Sequence, residues 1–354
     1  MIHRDARRGG IILRLIVALL LIGAGVVLLL ASTLAMAYQG FPSSVILDFP
    51  KGTSTSAMAA QLADAGVVRY SWQFKLARLL HPAARLQAGE YQFVHSDTTW
   101  NVFNRIVRGD IFFYELTVPE GSNMFDIAAS LKQFDFLTGA DFLKAARDPA
   151  LVRDLAPHAP TLEGFLFPST YRLTRRTTAS DLCRMMTDLF HKQWRQLHGA
   201  GQALDAMQVV TMASLVEKET AVPDERPLVA SVFSNRLRLG MPLDCDPTTI
   251  YAAMLDERYR GTIYRSDLAS PNAYNTYHHA GLPPGPIANP GVASLQAAIA
   301  PAATDYLYFV AKAGGSGSHQ FSKTIDEHNR AVESYRRGTR KPEAPQPAHR
   351  AHHA

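Results

Sequence analysis

Cysteine is scarce in this chain: Cys183 and Cys245 are the only two in 354 residues. Two cysteines build no disulfide framework, and their separation fits no metal-ligand spacing. They read as free, buried thiols. Histidine adds no metal motif, because His278 and His279 are adjacent whereas helical metal pairs sit four apart. No metal and no other cofactor is expected.

Positive charge is scarce where a nucleic acid would need it. The net charge is +5. Residues 1–14 contribute +3 and residues 336–354 contribute +4, which leaves −2 for everything between. A nucleic-acid footprint sits on the folded domain itself, so that class is excluded.

Charge is missing altogether from Leu15 to Ala37, "LIVALLLIGAGVVLLLASTLAMA". At about 1.5 Å per residue this run exceeds a hydrocarbon core of roughly 30 Å. It also exceeds the apolar part of a signal peptide, about 7–15 residues, although Ala35-Met36-Ala37 has the small-residue form of a cleavage site. Length favours an uncleaved transmembrane helix over 15–37. The arginines before it keep residues 1–14 in the cytoplasm. In a bacterium the rest of the chain then lies outside the inner membrane.

What remains is long enough for about two domains at roughly 150 residues each. "VILDFPKGTSTSAMAAQLADAGVV" reads as a strand, a Pro-x-Gly turn and a helix with Met58, Ala59 and Leu62 inward. "YELTVPEGSNMFDIAASLKQFDFL" repeats that plan, with Pro119 and Gly121 in the places of Pro50 and Gly52. A strand over "AGEYQF" and a helix over "WNVFNRIVRG" lie between them. The later chain is mostly helical and includes a long amphipathic helix, "ASDLCRMMTDLFHKQWRQL". Asp224 is placed as the cap of a helix running to Gly240, and Asp246-Pro247 as the start of another. Strands over "YLYFV" and "HQFSK" and a closing helix follow. The fold class is α+β. The Pro- and His-rich tail, 336–354, is expected to be disordered.

The segment that bears on chemistry is "TMASLVEKETAVPDERPLVASVFSNRL", Thr211 to Leu237. At 100° per residue its first helix carries an apolar arc through Val209, Met212, Ala213 and Val216. Glu219 falls inside that arc and Glu217 at its edge. A carboxyl in apolar surroundings has a raised pKa and can serve as a general acid. That is what a glycosidic oxygen needs as it leaves, and lysozyme meets the need with a glutamic acid in an apolar pocket. The competing reading is structural: a helix-end glutamate paired with Arg226 or Arg236. Glu163 and Tyr171 in "EGFLFPSTY", and Tyr274, Asn275, Tyr277 and Asn289 in "AYNTYHHAGLPPGPIANPG", offer amide, phenol and aromatic groups on a stiff frame. An ordinary structural loop would use the same residues.

Taken together, "MASLVEKETAVPDERPLVASVFSNRLRLGMPLDCDPTTIYA", "EGFLFPSTY" and "AYNTY…GLPPGPIANPG" resemble the endolytic murein transglycosylases, the MltG or YceG-like family. The resemblance implies one inner-membrane anchor, a LysM-like module over 45–115 and a catalytic α+β domain over 116–335 in the periplasm. It implies cleavage of nascent peptidoglycan strands between N-acetylmuramic acid and N-acetylglucosamine, giving a 1,6-anhydro end. Glu219 takes the place of the family's catalytic glutamate. Glu163, Tyr171, Asp246, Asn275, Tyr277 and Asn289 are expected to contact substrate. Peptidoglycan strands are the expected partner, with penicillin-binding synthases as candidate protein partners. Cys245 and the His278-His279 pair depart from the family pattern. Two rivals stand: a hydrolytic muramidase, and a glycan-binding scaffold without activity.

Overall fold

The charge-free run forms the body of a 34-residue helix, α1 (Ile2–Ala35). The structure is a computed structural model and describes residues 2–197, 204–315 and 317–339. Arg14–Ala35 is long and apolar enough to cross a membrane. Leu19, Leu20, Leu21 and Ile22 are all exposed, so no single face of this stretch is covered by protein. That fits membrane anchoring.

The described chain mixes helix and strand in two compact units, divided after Tyr114. After α1, the first unit holds β1 (Ala37–Tyr38), β2 (Val45–Phe49), α2 (Thr55–Asp64), α3 (Ser71–Leu80), β3 (Gly89–Phe93), β4 (Asp97–Thr98) and α4 (Thr99–Arg108). Strands β2 and β3 pair antiparallel with Leu47 opposite Tyr91, and β1 pairs with β4. Ser54 and Thr98 cap α2 and α4 by accepting backbone N–H groups, and Gly109 ends α4 in the left-handed region. Phe49, Leu62, Phe74, Tyr91 and Phe103 form one core beneath these elements.

The second unit runs through β5 (Tyr114–Val118), α5 (Met124–Ser130), α6 (Gly139–Ala146), β6 (Ser169–Leu173) and α7 (Ala179–Leu197). It continues with α8 (Ala206–Glu219), α9 (Arg226–Arg238), α10 (Asp246–Leu255), α11 (Arg265–Leu268) and α12 (Val292–Ile299). β7 (Tyr308–Ala311), β8 (His319–Ser322) and α13 (Ile325–Thr339) close it. β5 pairs with β6, and β7 with β8 antiparallel. Both Pro-x-Gly turns form between a strand and a helix, with Gly52 and Gly121 at φ 89° and 76°. An L side chain would be strained at either.

Three sequence expectations change. First, α8 is not amphipathic: every residue from Val210 to Val216 is buried. Thr211 and Ser214 tolerate this because their hydroxyls donate to Met207 O and Thr211 O, both at 2.7 Å. Second, Asp224 does not cap α9. It lies in a one-turn 3-10 segment, Pro223–Glu225, and α9 begins at Arg226 with Pro227 in its first turn. Third, residues 336–339 belong to α13, with Arg336 and Arg337 in its last turn, where cations suit the helix dipole. The rest of the expected disordered tail, 340–354, lies outside the described residues.

Candidate active site

Helix α8 starts on Asp205, whose side chain accepts from Gln208 N, and stops after Glu219 because Thr220 is extended (φ −139°, ψ 133°). Val222 is held extended ahead of Pro223. Glu219 is therefore the last helical residue, beside the negative end of the dipole. It faces a cleft of about 370 Å³, within the range of small-ligand sites. Phe233, Leu243, Phe309 and Ile325 supply apolar wall, and Tyr277 and Tyr308 supply aromatic rings. Asp244, Asp246, Arg236 and His328 supply the polar groups.

Burial is the largest influence on Glu219 and pushes its carboxyl pKa up. The Cys245 thiol and, more weakly, His319 and Arg236 pull it down, Asp246 pushes it up, and burial prevails. The Cys245 thiol donates to Glu219 Oε1 at 3.1 Å. Burial, then the Glu219 charge, raise the Cys245 pKa well above the ordinary thiol value, so the sulfur keeps its proton and stays a donor. Its position is fixed from the backbone, with Cys245 N donating to Thr276 Oγ1 at 3.0 Å and Thr248 Oγ1 donating to Cys245 O at 2.6 Å.

The arginine pairing that would make Glu219 merely structural belongs to other carboxylates. Arg226 Nη2 lies 3.6 Å from Glu217 Oε1, and Gly291 N donates to Glu217 Oε2 at 3.0 Å. Arg236 Nε donates to Leu307 O at 2.7 Å, while its Nη1 reaches Leu243 O and Asp244 Oδ2 at 3.0 and 3.2 Å. Glu217 thus ties α8 to α9 and to the start of α12, and Arg236 ties α9 to the segment before β7.

Of the expected substrate contacts, the structure brings Asp246 and Tyr277 to Glu219's cleft. Tyr277 Oη donates to Asp246 Oδ1 at 2.6 Å, and burial followed by Asp246 raises the phenol pKa. Four others do not line it. Glu163 is sealed inside the unit, 1% exposed. Its Oε2 accepts from Met124 N and Tyr251 Oη at 2.9 and 3.0 Å, and its Oε1 from Asn289 Nδ2 at 2.9 Å. Burial pushes its pKa up to about 7 against the pull of those donors. Asn289 also donates to Ser122 O and accepts from Leu166 N. Asn275 is fully buried, donating to Leu268 O and Ser270 O and accepting from Tyr277 N. Tyr171 is buried and donates to Phe167 O. These groups have their hydrogen bonds made inside the protein, and their work is to hold loops in place.

Sequence reasoning passes over Asp244, Tyr308, Phe309 and His328 as site residues, and meets Arg236 only as a rival partner for Glu219. Asp244 carries one local clue only in the fold, a φ of 50°, unusual for a residue with a side chain. Among the described residues no cluster of three or more His, Cys, Asp or Glu could hold a metal. A larger hollow of about 740 Å³ near Lys144, Cys183 and Arg184 shares no residue with the cleft.

The chain is similar to known proteins. The model of the YceG-like family matches residues 47–334. An endolytic murein transglycosylase of Bacillus subtilis (strain 168) is 32% identical over 312 residues, covering 83% of this chain and 85% of that protein. An endolytic murein transglycosylase of Streptococcus pneumoniae serotype 2 is 28% identical over 320 residues, covering 81% of this chain and 58% of the longer relative. The crystal structure of a yceG-like protein from Listeria monocytogenes superposes with a TM-score of 0.54 at 31% identity, over 81% of this chain and 98% of that one.

Proposed function

The chain belongs to the YceG-like family, and from that premise we propose that it is an endolytic murein transglycosylase with Glu219 as its catalytic acid and base. The observation that carries the assignment is a carboxyl with a raised pKa, open to a cleft, with a thiol rather than an arginine at its oxygen.

The mechanism uses one carboxyl twice. Protonated Glu219 donates to the oxygen linking N-acetylmuramic acid to N-acetylglucosamine as the C1–O bond breaks. Positive charge develops at C1 of the muramyl sugar. Glu219, now ionised, takes the proton of that sugar's C6 hydroxyl as its oxygen bonds to C1. The products are a strand ending in 1,6-anhydro-N-acetylmuramic acid and a strand with a free 4-hydroxyl, with no water consumed. Intramolecular attack benefits from high effective molarity, and the apolar wall of Phe233, Leu243 and Phe309 keeps water from competing. Asp246 and Tyr277 hold sugar hydroxyls at the rim. Glu163, Tyr171, Asn275 and Asn289 act on the reaction through the loops they brace.

A hydrolytic muramidase would need a second carboxylate placed for water or for a covalent intermediate. Glu163 is sealed off, while Asp244 and Asp246 are engaged by Arg236 and Tyr277, which favours the transglycosylase. Mass spectrometry of digested strands tests this: anhydro ends are expected, and reducing ends alone would sink it. A non-enzymatic scaffold would release no fragments at all.

The same reading extends to the cell. Helix α1 is a single-pass inner-membrane anchor with residues 1–14 cytoplasmic, and the second unit is periplasmic. The first unit, with its own core and β2–β3 pair, acts as a LysM-like module on glycan. Cutting strands as they emerge ends their elongation, which makes penicillin-binding synthases the natural protein partners. Reporter fusions before and after α1 test the topology.

A further inference from the structure

His328 lies on α13 and lines the cleft that holds Glu219, although 109 residues separate them in sequence. Its ring is held on one face. It stacks on Tyr308 with centroids 5.2 Å apart and planes 25° from parallel. Tyr308 in turn carries the Arg236 guanidinium 5.2 Å from its ring centroid. His328 Nδ1 is buried and has no hydrogen-bond partner among the described residues.

That orphaned nitrogen decides the tautomer. A neutral imidazole carries one N–H and one bare lone pair. Placing the proton on Nδ1 would bury a donor with nothing to receive it, whereas a bare lone pair there is the smaller loss. The proton therefore sits on Nε2. Burial, with the Arg236 charge adding to it, lowers the His328 pKa and keeps the ring neutral. Nε2 is not among the buried atoms left without a partner, no side-chain hydrogen bond uses it among the described residues, and the residue lines the cleft, which leaves Nε2 as the nitrogen for a molecule there to meet.

The cleft around it is rich in acceptors. Asp244 and Asp246 are carboxylates, and Arg236 Nη1 and Tyr277 Oη donate to them, so that Arg236 Nη2 and His328 Nε2 remain as the donors of this wall. An N-acetylated sugar brings a strong carbonyl acceptor that needs a neutral donor placed among these charges. We propose that His328 is a substrate-binding residue of this cleft, donating its Nε2–H to the carbonyl oxygen of an N-acetyl group on the glycan. The proposal rests on the glycan reading above and adds to it a determinant of N-acetyl recognition.

The test uses the full chain in detergent with glycan strands before and after chemical de-N-acetylation. His328→Leu should lower kcat/KM on N-acetylated strands by about 3- to 10-fold, mainly through KM, as the loss of one neutral hydrogen bond predicts. Glutamine places an N–H where Nε2 was and asparagine where Nδ1 was. His328→Gln should therefore recover most of the loss and His328→Asn should not. On de-N-acetylated strands, wild type and His328→Leu should come within about twofold of each other. Unchanged kinetics in His328→Leu, equal rescue by asparagine, or the same loss on de-N-acetylated strands would each overturn the proposal. Strand binding measured on a Glu219→Gln background probes the same contact without turnover, and a His328→Leu change there should weaken binding by the same factor. If wild type releases no anhydro ends, the enzymatic reading has failed. If wild type does and the His328 variants behave alike, only this inference has.

Discussion

Two glutamates in the second unit, Glu219 and Glu163, both have raised pKa values, though Glu163 is buried and Glu219 only half-buried. Only Glu219 lines a cleft. Glu163 has its oxygens filled by Met124 N, Tyr251 Oη and Asn289 Nδ2 from three separate stretches of chain. Among the described residues the Glu219 carboxyl accepts from the Cys245 thiol, and a cleft lies in front of it. A high pKa reports desolvation and says nothing about use. What separates a catalytic acid from a buried strut is hydrogen-bonding capacity turned toward space a substrate can enter.

The contrast is broken most sharply by substituting each carboxyl in turn. Glu219→Gln should cut strand cleavage by about 1000-fold or more, since general acid and base assistance is each worth about 10²–10⁴, with little change in thermal stability. Activity within tenfold of wild type would remove Glu219 from the mechanism. Glu163→Ala should do the reverse. It strands three buried donors and should cost about 3–5 kcal/mol of stability in denaturant titrations, while the activity per folded molecule falls only a few-fold.

pH separates the two next. The Glu163 pKa rises from 4.5 to about 7 on folding. The folded state therefore holds a proton that the unfolded chain gives up between those values. Stability from this group is present in full below about pH 4.5 and is lost as pH climbs through about 7, on the order of 3 kcal/mol in all. Melting curves across that window should show the decline in wild type and a flatter response in Glu163→Gln. At Glu219 the same physics should appear in rates. Cys245→Ala removes the donor that lowers its pKa, so the alkaline limb of the kcat profile should move to higher pH. Cys245→Ser, a stronger donor, should move it down. The smallest effect belongs to the rim: Tyr277→Phe frees Asp246 from its 2.6 Å bond and should raise KM by about 2- to 5-fold, measured on defined strands.

These residues also show how far the sequence can be read. The strand–turn–helix plan at Pro50 and Pro119 is legible because a turn needing positive φ writes itself as glycine. Helix α8 and the position of Glu219 at its end are legible from periodicity and Pro223. The reason for Glu219's burial is not. A helical wheel presumes a solvent-facing side to α8, yet Thr211 and Ser214 on that side are buried too. The cleft that Glu219 lines is walled by α9, α10, β7 and α13, the last two far along the chain. The polar loop residues are harder still. Asn275 and Tyr277 are two positions apart, and one is fully buried while the other lines the cleft. Composition and spacing cannot separate them, because partners distant in sequence, such as Glu163 for Asn289, decide which side chains are sealed. Cys245 stands out only as an irregularity, and its contact with Glu219 spans 26 positions.

The cleft draws its walls from residues 219 to 328, and this has a consequence for a growing polypeptide. Until β7 and α13 have docked, the space in front of Glu219 lacks Tyr308, Phe309, Ile325 and His328, and a less buried carboxyl keeps a pKa nearer the ordinary value. The proton it needs for bond breaking arrives with tertiary closure, which is a slow kind of contact to make. On the proposed mechanism a nascent or partly unfolded copy lacks the acid it would cut with, and folding itself arms the site.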